Sequence, residues 1–459
     1  MVVLNFVEKS RYLDSVALMR VSRRVESLAG VQAAALMIGT PANRDLLRGA
    51  GLLAPQGEAA GANDLLIAVR ASGEQAARDA IAAAKGFLQE KSSAGHAALA
   101  HTRSLAAAVE RLPGANLALI SVPGDYAALE ARKALERGLN VLVFSDNVPL
   151  EDELALKRLA RERGLMMMGP DCGTALIGGT PIAFANAVPR GDIGIVSASG
   201  TGLQEVSTLV ARMGGGVSHG IGVGGRDLDA RIGALGMLAA IDALEQDAGT
   251  RTVVLISKPP APEVAKAVND RVARGAKRYV VCFLGQAGGI LRDAAEQAMG
   301  RKLPPFEAPA LQKQKGKSVR GLYCGGTLCS EAKQIFAAKG LSGHSFVDLG
   351  DDEFTRGRPH PMIEPALRNE HVAAALAEPK VGVLLVDVVL GFGSHADPAS
   401  ILVSALNGRK TVIASVVGTE RDPQVFSRQV AALRAAGVVV APSNAHAAEL
   451  AAQLVVSSP

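Results

Sequence analysis

The sequence predicts an α/β protein in which parallel sheets with crossover helices form the larger part, preceded by a small ferredoxin-like α+β module. Three observations carry this expectation. Strands and helices alternate strictly from Asn116 onward, as parallel sheets require, because each parallel connection needs a crossover. A strand leading through a glycine turn into a helix occurs twice, at Ser199-Gly200-Thr201-Gly202 and at Gly325-Gly326-Thr327. Before residue 90 the order is instead strand, helix, strand, strand, helix.

Taken in chain order, residues 2–7 suit a strand, and Asp14 or Ser15 can cap a helix reaching Leu28 with Val16, Leu18, Met19 and Val25 as its apolar stripe. Residues 31–37 and 64–70 are apolar strands, Gly39-Thr40-Pro41 a turn, and 72–90 a long Ala-rich helix. This module is expected to span residues 1–95, with 91–95 as linker. Strands at 117–122, 140–144 and 165–168 enclose helices at 126–137 and 150–163, giving a compact α/β domain over 96–188.

The remainder of the chain reads as an internal duplication. Strands 193–197 and 321–324 each enter a glycine turn and a helix. A second turn comes later in each copy, at Gly222-Val223-Gly224-Gly225-Arg226-Asp227 and at Leu349-Gly350-Asp351-Asp352. An apolar strand lies beyond it, at 253–256 and at 383–386. The two copies are expected at 189–303 and 317–459, joined by a Pro- and Lys-rich bridge.

Composition narrows the function. With 48% hydrophobic and 20% charged residues the chain can bury a large core. Aromatics at 3%, no Trp and a scattered net charge of +5 argue against nucleic-acid binding. Lys313-Gln314-Lys315-Gly316-Lys317, the densest basic run, reads as a solvated linker. The four Cys, at 172, 282, 324 and 329, form no CxxC pair and no zinc-like spacing, so no metal is expected. No opening signal segment and no apolar run of about 18 residues suggest a soluble, cytoplasmic protein with no membrane partner.

The chemistry is expected at the glycine turns. A turn between strand and helix aims several backbone N–H groups at one point, and the helix dipole adds about half a positive charge there. Ser199, Gly200 and Thr201 with Gly325, Gly326 and Thr327 are therefore the candidate phosphate-binding residues, two helix ends around one phosphate. Glu205, early in the first of these helices, is a candidate for moving a proton. The loop from Asp348 to Pro361 offers Arg356 and Arg358, whose planar forks suit a carboxylate or phosphate, and His360 as a general acid or base. Asp387, with His395 beyond it, ends a parallel strand where α/β proteins place ligands.

These residues carry a resemblance. Residues 116–260 resemble the α subunit of succinyl-CoA synthetase through Ile120-Ser121-Val122-Pro123, Gly169-Pro170-Asp171-Cys172, the run from Ile193 to Thr201, Glu205 and Gly222 to Gly225. Residues 317–455 resemble the carboxyl-terminal domain of its β subunit through Gly325-Gly326, Asp348-Leu349-Gly350 and Gly391-Phe392-Gly393. Both halves in one chain, with Met37 to Asn43, Gly225-Arg226-Asp227 and the Asp351 to Pro361 loop, resemble the FdrA family. The resemblance implies Rossmann-like and flavodoxin-like parallel-sheet domains: a CoA-binding-like Rossmann domain over 96–188, an α-like ligase domain over 189–303 and a β-like carboxyl-terminal ligase domain over 317–459.

Three departures from the synthetase bear on function. No His occurs between His219 and His344, and Gly285-Gln286-Ala287-Gly288 has Gln where the synthetase carries its phosphorylated His. No ATP-grasp segment is present, and the Gly-rich turn that opens the synthetase's CoA-binding domain is missing, which counts against CoA. FdrA relatives imply a subunit of an oxamate carbamoyltransferase in allantoin breakdown, with carbamoyl phosphate or phosphate as ligand. Arg356 or Arg358 would then hold the small carboxylate, and other subunits would complete the complex. The alternatives are an ADP-forming acyl-CoA ligase working with partner chains, and a non-catalytic scaffold subunit.

Overall fold

A computed structural model describes the chain except residues 12, 14, 91–101, 103, 287, 288, 313, 315, 316, 356–358, 407–409 and 456–459. It divides into two units, Met1–Arg103 with Asp352–Pro359, and Ser104–Asp351 with His360–Pro459. Among the described residues no helix is long and apolar enough to cross a membrane.

The first unit contains β1 (Val2–Glu8), α1 (Ser15–Glu26), β2 (Val31–Ile38), α2 (Pro41–Gly49), α3 (Pro55–Glu58), β3 (Leu65–Ala71) and α4 (Glu74–Glu90). Its antiparallel sheet has the order β1-β3-β2, so the first helix connects two strands that flank a third. Alternation along the central strand decides which layer each residue serves. Leu65, Ile67 and Val69 meet Leu18, Val21 and Val25 of α1 and Ala77, Ala80 and Ala84 of α4. Leu66 and Ala68 face the other way, onto Leu47, Leu52 and Ala60. The turn expected at Gly39-Thr40-Pro41 is a helix start: Thr40 caps α2 by accepting from Asn43 N, and Pro41 takes the first helical position.

The second unit opens with α5 (Leu105–Arg111), β4 (Leu117–Ile120), α6 (Gly124–Glu136), β5 (Asn140–Val143), α7 (Leu150–Glu162) and β6 (Met167–Met168). These strands form a parallel sheet in the order β4-β5-β6. A hairpin comes next, β7 (Thr174–Ile177) and β8 (Thr180–Ala183), turning on Gly178 and Gly179 at positive φ.

Beyond the hairpin lie β9 (Ile193–Ser197), α8 (Gly200–Arg212), β10 (Val217–Gly222), α9 (Leu235–Gln246), β11 (Thr252–Ser257), α10 (Pro262–Val272), β12 (Arg278–Phe283) and α11 (Leu291–Met299). With the hairpin they make a six-stranded sheet, β12-β11-β9-β10-β7-β8, which therefore begins upstream of residue 189. The last stretch comprises β13 (Ser318–Tyr323), α12 (Gly326–Ala338), β14 (Ser345–Asp348), α14 (Ala366–Ala377), β15 (Val381–Val389), α15 (Pro398–Val403), β16 (Thr411–Val417), α16 (Phe426–Ala435), β17 (Val439–Ala441) and α17 (Asn444–Val455). The short α13 (Asp352–Thr355) belongs to the first unit.

Sheet order bears on the duplication directly. The five-stranded sheet runs β14-β13-β15-β16-β17, and the parallel part of the other runs β10-β9-β11-β12 when read in the same sense. Both are the flavodoxin-like order, second strand beside first, then third and fourth. Between the two sheets lies a layer of four helices, α8 and α11 from one copy, α12 and α17 from the other. Their apolar faces share one core, including Leu203, Val206 and Leu209 of α8 with Leu328, Ala332 and Ile335 of α12. That packing brings the two glycine turns to the same end of the layer.

The Gly225-Arg226-Asp227 motif fastens the three-stranded sheet's helix to this assembly. The ammonium of Lys157 on α7, 1% exposed, donates to Glu153 Oε1 at 2.9 Å, Asp227 Oδ1 at 2.6 Å and Val223 O at 3.0 Å. All three of its hydrogens are thereby used, which a buried cation requires. Asp227 in turn accepts from Gly236 N and Met237 N in the first turn of α9.

Candidate functional site: two helix termini face each other

β9 ends at Ser197, and the chain turns through Ser199 into α8. Ser199 Oγ accepts from Gly202 N at 2.9 Å, and Ser199 N donates to Ser197 Oγ at 3.0 Å. β13 ends at Tyr323, and the chain turns through Gly325 into α12 with no side-chain cap. There a carboxylate does the equivalent work: Asp387 accepts from Cys324 N and Gly325 N, both at 2.8 Å.

The two helix starts touch. Ser199 Oγ and Thr327 Oγ1 share a short hydrogen bond across the junction. Gly325 lies so close to Thr201 that a Cβ there would stand 3.0 Å from Thr201 Cγ2. Gly202 sits equally tight on Ile256 of β11. First-turn N–H groups have no intrahelical acceptor, and those of Gly200 and Thr201 on one side, Gly326, Thr327 and Leu328 on the other, find none among the described residues. Ser199, Gly200, Thr201 and Gly326 are partly exposed, so the junction opens to solvent. Two partial positive charges meeting there suit an anion. All six residues expected at the phosphate site are thus brought together.

The expected proton carriers are placed differently. Glu205 is 1% exposed, beneath the junction, where Oε1 accepts from Asn444 N at 2.9 Å. Its partner is Glu331, at the same position in α12, which accepts from Asn444 Nδ2 at 2.7 Å and from Leu291 N at 2.7 Å. Burial pushes both carboxyls up to about 7. Glu205 therefore joins the helix layer and does not line the mouth.

Asp387 is fully buried, with both oxygens on backbone N–H groups and Oδ1 also on Arg368 Nη1 at 3.1 Å. Burial raises its carboxyl, and Arg368 with the two N–H groups works against that rise. It shapes the turn, so the expectation that it moves a proton gives way to a positioning role. His360 meets a similar correction. Its Nδ1 accepts from Met362 N at 3.2 Å, its Nε2 lies against Gly350, and burial pushes it down to about 4, leaving it neutral. His395 is tied up too, accepting from Asp397 N at Nδ1. Arg356 and Arg358 lie outside the described residues.

Two side chains at the junction were not anticipated as site residues. Lys258, exposed, directly follows β11, and Asp348 ends β14. Both reach Gly326: a Cβ there would lie 2.3 Å from Asp348 Oδ2 and 3.5 Å from Lys258 Nζ. The signal was available for Lys258, since it occupies the carboxyl end of a parallel strand, the same rule that singled out Asp387. Gln286 is exposed on the loop after β12, and its neighbour Gly285 lies against Pro259 and Gln334 of α12.

Known proteins resemble the chain over three regions. Residues 1–104 match the family described as "AllF, heavy metal-associated domain", residues 190–285 "CoA binding domain", and residues 322–454 "CoA-ligase". The uncharacterized protein YahF of Escherichia coli K12 is 41% identical over 507 aligned residues, covering 98% of each chain. Succinate–CoA ligase [ADP-forming] subunit alpha 2 of Archaeoglobus fulgidus is 30% identical over 210 residues, 42% of this chain and 70% of that one. The solved dinucleotide-forming acetyl-coenzyme A synthetase 1 of Ca. Korarchaeum cryptofilum covers 75% of this chain and 84% of its own at 18% identity, with a TM-score of 0.32. Full-length likeness to YahF, with the AllF-type amino-terminal module and the two CoA-ligase regions in one chain, establishes that the protein belongs to the FdrA family and is acyl-CoA-ligase-like.

Proposed function

We propose that the chain is the acyl-phosphate-handling subunit of an acyl-CoA-ligase-type complex, with the phosphoryl group held between the termini of α8 and α12. The observation that carries this is the junction itself, where unpaired first-turn N–H groups of two helices face one solvent-open point beside Lys258. Donors fixed in place before the reaction stabilise a phosphate leaving group without reorganisation. In the forward step the CoA sulfur attacks the acyl carbonyl carbon and the carbon–oxygen bond to phosphate breaks. Phosphate leaves with that electron pair, and the thiol proton passes to it.

Gln286 has no basic nitrogen to take a phosphoryl group, and the acyl phosphate would be supplied from outside this chain. The subunit naming of the succinate–CoA ligase relative supports work within a hetero-oligomer. The finer expectation of carbamoyl transfer with oxamate finds no support in the relatives named above, so carbamoyl phosphate enters as a rival ligand.

Calorimetric titration of the full chain with acetyl phosphate, carbamoyl phosphate and CoA tests the proposal. Binding of acetyl phosphate and of CoA is expected. Carbamoyl phosphate bound alone would favour carbamoyl transfer, and binding of none would leave a scaffold subunit.

A further inference from the structure

We propose that Lys258 and Asp348 select the charge of the ligand, so that the junction takes a doubly negative phosphate or acyl phosphate and takes up a proton as it binds. The inference rests on the anion site proposed above and specifies what that site accepts. The two side chains come from different sheets and converge on the first residue of α12, Gly326. The chain bends at Lys258, and the ring-fixed φ of Pro259 and Pro260 restricts the backbone that carries its ammonium. Among the described residues Lys258 makes no ion pair or hydrogen bond, and its charge acts on Asp348 from a distance.

Asp348 is the more telling member. Oδ1 accepts from Gly350 N at 3.0 Å, which orients the carboxyl, while Oδ2 is the atom aimed at the α12 terminus. An ionised Asp348 thus stands beside the α12 terminus, against Gly326, without taking any of the free first-turn N–H groups that an incoming anion would receive. The groups around it are Asp387 and Asp351, which disfavour its ionisation, and Lys258, which favours it. Arg368 is committed to Asp387. The Cys324 and Cys329 thiols are kept protonated by burial, and His360 beside Gly350 is neutral.

Burial already lifts Asp348 to about 6. A dianion arriving beside it lifts it further, because a second negative charge at contact range disfavours the ionised form. Ligand binding and protonation of Asp348 are therefore linked, and affinity falls as pH rises above about 6, by up to roughly tenfold per unit when one proton is taken up.

The test is calorimetry of the full chain with acetyl phosphate near pH 7.5, in two buffers of different ionisation enthalpy, repeated across pH. Acetyl phosphate is already a dianion there, so any proton uptake belongs to the protein. Wild type should take up close to one proton. Asp348→Asn keeps the acceptor for Gly350 N and should abolish the uptake, flatten the pH profile and bind several-fold tighter near pH 8. Lys258→Ala should weaken binding roughly tenfold, and Lys258→Arg should restore most of it. Wild-type binding without proton uptake, with both variants unchanged, would overturn the pair and leave the anion site standing. No wild-type binding of acetyl phosphate would remove site and pair together, a different failure.

Discussion

The two copies of the parallel α/β unit solve the same local problem with different chemistry. Each must satisfy N–H groups of a glycine turn while leaving the leading ones of the helix, Gly200 and Thr201 or Gly326 and Thr327, free. The first copy uses neutral hydroxyls, Ser197 and Ser199, both close to the backbone they serve. The second uses Asp387, drawn from a neighbouring strand and balanced by Arg368 on α14. A neutral cap is cheap to lose, whereas a buried ion pair is costly to break because the remaining charge stays desolvated. The second turn should therefore be the rigid member, and the first, with the more exposed Thr201, the adaptable one.

The sharpest way to break that contrast is Arg368→Leu, which strands Asp387 in the core. A loss of about 3–5 kcal/mol is expected in denaturant unfolding. A loss under about 1 kcal/mol would show that the pair does not hold the turn.

Next in size is a pH effect that joins the two copies. Glu205 and Glu331 occupy equivalent helix positions and share Asn444. Their folded values, about 7, lie above the ordinary 4.5. Between those values the unfolded chain ionises while the native one stays protonated, so native stability falls as pH rises through that window and is constant above it. Glu205→Gln should remove a share of this loss on the order of 2 kcal/mol, making the variant the more stable protein near pH 8 but not near pH 4. Identical pH profiles for variant and wild type would contradict the raised value.

The smallest expected change is Ser199→Ala. It removes the α8 cap and the bond to Thr327, and should lower stability by about 1 kcal/mol. An effect as large as that of Arg368→Leu would erase the distinction between the turns.

Much of this was legible because the signals were local. The alternation of strand and helix, and the glycine turns after β9 and β13, come from short patterns that physical chemistry constrains tightly. Two missed elements also had local signals: Gly178-Gly179 is a hairpin turn pair, and Thr40-Pro41 is a cap followed by a first-turn proline. The site was legible only as far as its backbone. The roles of Asp387 and Glu205 depend on Arg368 and Asn444, 19 and 239 residues away, separations no sequence pattern encodes, and that of His360 depends on its burial. Lys258 and Glu331 became site neighbours only through the packing of α8 against α12.

If the paired helix termini hold one anion, crystals of the full chain soaked with tungstate, an electron-dense phosphate analogue, will show it most directly. Anomalous density is predicted between Thr201 and Gly326, within hydrogen-bond reach of the first-turn N–H groups and of Lys258, and absent in Thr201→Glu. Density elsewhere on the surface with none at this junction would contradict a shared anion site.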